Sequence, residues 1–413
     1  MSDVDSGAVP VAAAFAPDRG SVWWSPAVLL FATAFGTNVS TPLLLVYRDR
    51  LDLSPTVVTA IFGVYALGLA PSLLLGGPAS DRFGRTRLLL PAIVLTGVAS
   101  LLFLPGANSV PMLFAARFAQ GLASGVAFSV GSAWLQDLVG TAHASRAARR
   151  ASLALTLGFC LGPLCSGLLA QYGPHPLTVP YLLHVLLVAV MLGIAIAVAR
   201  HGVWSAGRAG SPGTSLLPRT GLHAGARHVF RHTLIPTAIC VYAFPSVGVA
   251  VLPLVLRHQP HVVAFTGILA SVTLGAGAVV QPVAHRLGRL GGSVGAGLGA
   301  IGYALGVAGA LAESGPLVFT AGALLGAGSG LCLNAGLILV QELSTPATRG
   351  ACNGLFYTWA YVGFAAPLLA TTFVTVDDLA APLGTLAVLA AATSAWLLSS
   401  VRPLPNRRGS GGN

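Results

Sequence analysis

One feature constrains this chain more than any other: its apolar residues come in runs of about 20, repeated from one end of the sequence to the other. A helix rising 1.5 Å per residue needs about 20 residues to cross a hydrocarbon core of about 30 Å. The signature of a membrane β-barrel, segments of about 10 residues with apolar side chains at every second position, is absent. Charged residues make up only 8% of the 413, against roughly 25% in soluble chains. So few ions cannot cover a water-facing surface, and helices in lipid follow.

Runs bounded by charge, Gly or Pro fall near 26–46, 56–78, 88–106, 112–136, 152–172 and 178–199, then near 233–256, 262–284, 292–312, 316–340, 351–373 and 380–401. Twelve spans bring both termini to one side. Arginine decides which side, because short cytoplasmic loops are enriched in it. With the N-terminus inside, 18 of the 22 basic residues, all Arg, are cytoplasmic; Arg48, Arg50 and Arg257 are opposite and Arg117 lies within a span. The formal charge of +11 is therefore explained by orientation and lipid headgroups, with no nucleic acid required. The expected organisation is a cytoplasmic tail over 1–25, a six-helix bundle over 26–199, a basic cytoplasmic linker over 200–232, a second bundle over 233–401 and a cytoplasmic tail over 402–413. Residues 1–20 lack the basic segment and apolar core of a signal peptide. Part of 222–232 is expected as a basic helix on the membrane surface.

The two halves repeat each other. A shift of 204 residues lays Asp81-Arg82-Phe83-Gly84-Arg85 over His285-Arg286-Leu287-Gly288-Arg289, and Pro163 over Pro367. A shift of 205 lays Gly121, Ser124, Gly125, Gln136, Asp137 and Leu138 over Gly326, Ser329, Gly330, Gln341, Glu342 and Leu343. Agreeing offsets in chain order point to a duplication. The fold class is thus an all-α integral membrane protein of twelve transmembrane helices in two pseudo-symmetric six-helix bundles.

Three motifs carry chemistry. The stretch from Gly77 to Arg87 after the second span places Asp81 between Gly77 and Gly84, with Arg82 and Arg85 positioned to bridge to Asp137 at the end of span 4. Asp81 is also expected to face the positive N-terminus of span 11. It resembles motif A of the major facilitator superfamily. Arg117-Phe-Ala-Gln120-Gly121 in span 4 resembles motif B of the same family. An Arg inside an apolar span costs about 2.5–3.5 kcal/mol on insertion scales, so it faces a cavity or partner, or it snorkels to the headgroups. In span 5, Gly158, Gly162, Pro163 and Gly167 resemble motif C, a signature of the drug:proton antiporter branch. Small residues at four-residue spacing are also ordinary helix packing.

The resemblance spans the whole chain. It implies a monomeric transporter that works by alternating access, with spans 1, 4, 7 and 10 around a central cavity and spans 3, 6, 9 and 12 outside. Its partners would be a small-molecule solute, membrane lipid and, by the antiporter branch, protons. The location would be a bacterial inner membrane. Candidate cavity residues are Asn38, Thr41, Gln120, Ser124, Tyr242, Tyr357 and Tyr361, a mostly apolar, aromatic set suited to an amphipathic or lipophilic solute. Proton antiport calls for a titratable group within the membrane, yet none of the 11 acids lies at mid-span. That leaves His184 in span 6, which could titrate but reads more readily as a packed or interfacial residue, Asp81 or Asp137 at the inner gate, or uncoupled transport. Uptake of a metabolite or sugar is the alternative, and a non-transporting sensor or assembly protein on the same fold is a third. No catalytic constellation, metal ligand set or cofactor motif occurs at credible spacing, so neither an enzyme nor a cofactor is expected. The five cysteines read as small buried residues.

Overall fold

The computed structural model describes residues 24–139, 144–198, 224–256, 259–345, 348–372 and 378–400. Every regular element among them is helical, and no strand occurs. Residues 1–23 of the expected N-terminal tail, residues 200–223 of the expected linker and the C-terminal tail lie outside the described residues.

Six long helices form the first half: α1 (Trp24–Leu51), α2 (Pro55–Phe83), α3 (Arg85–Gly106), α4 (Val110–Val139), α5 (Ala144–Tyr172) and α6 (Val179–Val198). Local chemistry sets several ends. Ser54 caps α2, its Oγ accepting from the N–H of Val57, and Pro55 opens the helix where a missing N–H costs nothing. Gly84 closes α2 at φ 99°, a conformation only glycine adopts without strain, and α3 starts at the next residue. At the matching place in the second half Gly288 also has positive φ, 52°.

The second half opens with α7 (Ala224–Val229), a start earlier than the expected 233, and the helix runs on through a π turn at Phe230–Leu234 into α8 (Ile235–Ala250) and α9 (Leu252–Val255). The expected surface helix is therefore continuous with span 7 over its described part. Next come α10 (Val262–Val279), α11 (Gln281–Leu287), α12 (Gly291–Leu311), α13 (Gly315–Leu343), α14 (Arg349–Val362), α15 (Ala366–Thr372) and α16 (Ala380–Ser400).

Eleven helical stretches among the described residues are long and apolar enough to cross a membrane. The span expected near 351–373 is the twelfth and is broken: α14 gives way to a 3-10 turn at Gly363–Ala365 before α15. Pro367 has no N–H for the carbonyl of Gly363, and the Ser246 hydroxyl donates to that carbonyl at 3.4 Å. Two other prolines are handled alike. Pro236 frees the carbonyl of His232, which accepts from Trp396 Nε1 at 2.8 Å, and Pro245 frees that of Val241, which accepts from Ser329 Oγ at 2.7 Å. In lipid a freed carbonyl needs such a partner.

Within the first half α2 packs on α4, α1 on α5 and α6, and α3 on α4 and α6; within the second, α12 packs on α13 and α16, α10 on α13, and α8 on α13 and α14. The halves meet through α5 with α10 and α2 with α15. Burial separates centre from periphery. Of those eleven stretches, spans 1, 4, 7 and 10 are the four most enclosed, at 83%, 56%, 67% and 61%, while α6 and α16 reach only 28% and 17%. Leu186, Val388 and Leu389 point outward from those two helices, as lipid-facing residues do.

Candidate transport site

At the arginine-rich end, Gly84 turns the chain so that Arg85 points back into the corner between α2 and α4. Its Nη1 pairs with Asp81 at 2.7 Å and donates to Ser80 Oγ, and its Nε pairs with Asp137 at 3.0 Å. Ser80 is a member that the sequence did not single out. Arg82 stays out of the cluster; it is exposed and lies over the ring of Phe83 at 5.4 Å. The second half repeats the pair, Arg289 to Glu342 at 3.5 Å. All these partners lie within one half. The cluster ties the ends of α2, α3 and α4 together, and Asp81, 48% exposed along its side chain, is held by Arg85. At Gly77 α2 approaches α4 closely: a Cβ there would lie 3.3 Å from Ser129 Oγ.

Arg117 does not snorkel. It is 1% exposed and turned into the first half, where Nη1 donates to the Thr37 carbonyl at 2.9 Å and to Gln120 Oε1 at 2.8 Å, and Nη2 to the Phe62 carbonyl at 3.1 Å. Longer contacts go to Ser40 Oγ and the Ile61 carbonyl. Gln120 Nε2 in turn donates to the Gly36 carbonyl at 2.6 Å. Its guanidinium also faces two rings, Phe62 at 5.3 Å and Tyr65 at 4.9 Å. Every one of these acceptors is neutral. Gly121 allows the arrangement, because any Cβ there would collide with the carbonyl of Tyr65.

Tyr65 opens onto an aromatic cluster where the halves meet. Tyr242 and Tyr361 stack at 4.8 Å, and Phe364 lies 5.2 Å from Tyr242 and 6.4 Å from Tyr65. Tyr357 and Phe128 border the cluster, and Ser124 sits beside the Tyr65 hydroxyl. The structure thus gathers Ser124, Tyr242, Tyr357 and Tyr361 from the sequence-based set. Tyr65, Phe62 and Phe364 were missed; the signal for Tyr65 was a polar-tipped aromatic in the span that must pack on Gly121. Asn38 is half-buried on α1, its Nδ2 donating to Thr37 Oγ1 and its Oδ1 accepting from Thr41. Thr41 is a correction. It lines a void of about 10 Å³ with Leu44, Val58, Val249 and Thr266, barely room for one water, so it sits in a sealed seam.

That seam belongs to the arginine-poor end. Thr59 and Thr371 share a hydrogen bond of 2.7 Å across the halves, Thr56 donates to the Thr371 carbonyl at 2.7 Å, and the N–H of Val263 donates to Gln171 at 3.2 Å. Motif C continues the join toward the middle. Gly158 and Gly162 lie against α1 at Phe31, Ala34 and Phe35, while Gly167 and the Pro163 carbonyl face Gly267 of α10. Pro163 sits inside an unbroken α5. His184 is a packed residue: Nδ1 is 2.7 Å from Ser100 Oγ and Nε2 3.1 Å from the Ala32 carbonyl. The five cysteines are free thiols, three of them buried.

Helices of membrane-spanning length around an aromatic junction define a polytopic membrane protein. Residues 27–367 match the sequence model of the Major Facilitator Superfamily, and the chain belongs to that superfamily. Among relatives, the bicyclomycin resistance protein homolog of Haemophilus influenzae is 30% identical over 35% of this chain and 35% of its own. The puromycin resistance protein pur8 of Streptomyces alboniger is 41% identical over 29% and 24%, and the multidrug resistance protein MdtL of Escherichia coli 28% identical over 46% and 47%. The matches thus span between a quarter and a half of those relatives' length. A crystal structure of peptide transporter POT in complex with sulfate superposes with a TM-score of 0.79 over 93% of this chain and 96% of that one, at 16% identity, a likeness of fold alone.

Proposed function

We propose that the chain exports a small amphipathic or lipophilic solute by rocker-switch alternating access. The observation that carries this reading is the ring of Tyr65, Tyr242, Tyr357, Tyr361 and Phe364, drawn from spans 2, 7 and 11 and placed where the halves meet. Such a junction offers stacking faces and phenol hydroxyls and changes shape whenever the halves rock. The resistance proteins among the relatives support export over uptake. The arginine-rich end is assigned to the cytoplasm of a bacterial inner membrane by the positive-inside rule, with both termini on that side and a single chain as the working unit. In this conformation the opposite end is the sealed one. The Asp81 cluster acts as the cytoplasmic gate: Arg85 and Asp137 stiffen the first half, and Asp81 is left available to meet the start of span 11 when that end closes. Asp81 and Asp137, the two acids of this cluster, are the groups through which protons would couple to transport.

Accumulation of dyes and antibiotics in an efflux-deficient bacterium tests the reading. Expression should lower accumulation, Asp81→Asn should abolish the effect, and a protonophore should mimic the variant if transport is coupled. Accumulation unchanged across a broad panel would refute export.

A further inference from the structure

Resting on the aromatic junction as the solute site, we infer that Arg117 makes this site select aromatic solutes by charge, admitting anionic and neutral ones and rejecting organic cations. Arg117 is buried, and its partners are three backbone carbonyls, one hydroxyl and one amide oxygen, with no carboxylate among them. The acids among the described residues offer no remedy, because they lie in loops or at helix ends. The positive charge is therefore hydrogen-bonded but not neutralised.

Its position relative to the rings matters as much as its charge. The guanidinium occupies one face of Tyr65 at 4.9 Å and lies over Phe62 at 5.3 Å, and both rings touch the junction, packing on Phe364 at 6.4 Å and 5.9 Å. An aromatic face attracts a cation through the negative charge of its π cloud. A ring already holding one cation attracts a second less, so this cluster is a poor cage for organic cations although it is rich in tyrosine. Direct repulsion adds to that effect. At an effective dielectric of about 20, two unit charges about 8 Å apart repel by an amount worth roughly thirtyfold in affinity. An anion gains what a cation loses, and a neutral ring system pays neither term. Few N–H groups of Arg117 are left to donate to a solute, so the preference acts through the field and the ring and not through a direct ion pair.

Tetraphenylborate and tetraphenylphosphonium, nearly isosteric and opposite in charge, are the probes. Their dissociation constants are measured by calorimetry on the purified full chain in one uncharged detergent. The wild type is expected to bind the anion at least tenfold more tightly than the cation. Asn38→Asp, which puts a carboxylate next to the Thr37 carbonyl that accepts from Arg117, should reduce that ratio at least tenfold. Arg117→Met should reduce it as well; if it does not fold, the wild type and Asn38→Asp suffice. A wild-type ratio at or below one, a ratio that Asn38→Asp leaves unmoved, or binding of neither ion overturns the inference. Should the ratio hold while expressing cells expel no dye, the export reading fails and the charge preference stands.

Discussion

The guanidinium of Arg85, at the first turn of α3, reaches the last turn of α4 and sets its Nε 3.0 Å from Oδ2 of Asp137. The pair is partly open, with 15% and 42% of the two side chains exposed, and such pairs are worth about 0.2–1 kcal/mol. A double-mutant cycle on Arg85→Gln and Asp137→Asn, read by unfolding in mixed micelles, should return a coupling in that range. Transport should fall by more than the stability loss explains, because the pair orients Arg85 and, through it, Asp81. Equal losses in transport and in folded protein would reduce the cluster to a structural brace. The second-half pair, Arg289 and Glu342, should show a similar coupling.

Gly121 and Gly193 make opposite predictions for the same change. A Cβ on Gly121 would strike the Tyr65 carbonyl and lie 3.0 Å from the Leu69 nitrogen, whereas one on Gly193 meets nothing within 4 Å. Gly121→Ala should cost about 1–3 kcal/mol by forcing α2 away from α4, and it should weaken solute binding by moving Tyr65. Gly193→Ala should be neutral or stabilising by about 0.5–1 kcal/mol, the gain of replacing glycine inside a helix. Melting temperatures of both variants in one detergent check the contrast.

Much of this architecture was legible in the sequence because it rests on patterns that a linear reading captures. Span length gave the helices, and the duplicated Gly84 and Gly288 with Arg85–Asp137 and Arg289–Glu342 gave the repeat. Depth along a span is linear too, which is why Gln120, Ser124, Tyr242 and Tyr361 fell near the centre. Rotation about a helix axis is not, and Thr41, at a suitable depth on α1, turns into the sealed seam. Arg117 was ambiguous for another reason. Its fate is decided by carbonyls of Thr37 and Phe62 on two other helices, and backbone acceptors carry no sequence signal. The break in span 11 was not legible, because Pro163 at the matching place of the repeat leaves α5 unbroken.

Thr59 and Thr371 hold the two halves together at the arginine-poor end, hydroxyl to hydroxyl at 2.7 Å and both buried. In a background with the five native cysteines replaced by alanine, Thr59→Cys with Thr371→Cys should crosslink under mild oxidation after small adjustment of the helices. The crosslink should stop transport and a reductant should restore it. Transport that persists in the crosslinked protein would mean that the α2–α15 seam does not open during the cycle.

Ser329 and Pro245 test whether a neighbouring side chain really repairs a broken helix. Pro245 supplies no N–H to the carbonyl of Val241, and Ser329 Oγ donates to it at 2.7 Å from α13. Removing that hydroxyl in lipid leaves a buried acceptor unpaired, so Ser329→Ala should cost about 1–3 kcal/mol. If the repair is the reason, the loss depends on the proline. Pro245→Ala restores an N–H one turn along, which competes for the same carbonyl. In that background Ser329→Ala should cost less than about 0.5 kcal/mol, a non-additivity visible in a double-mutant cycle. A cost for Ser329→Ala that is the same with and without Pro245 would show that the hydroxyl stabilises the packing of α8 on α13 in its own right and repairs nothing.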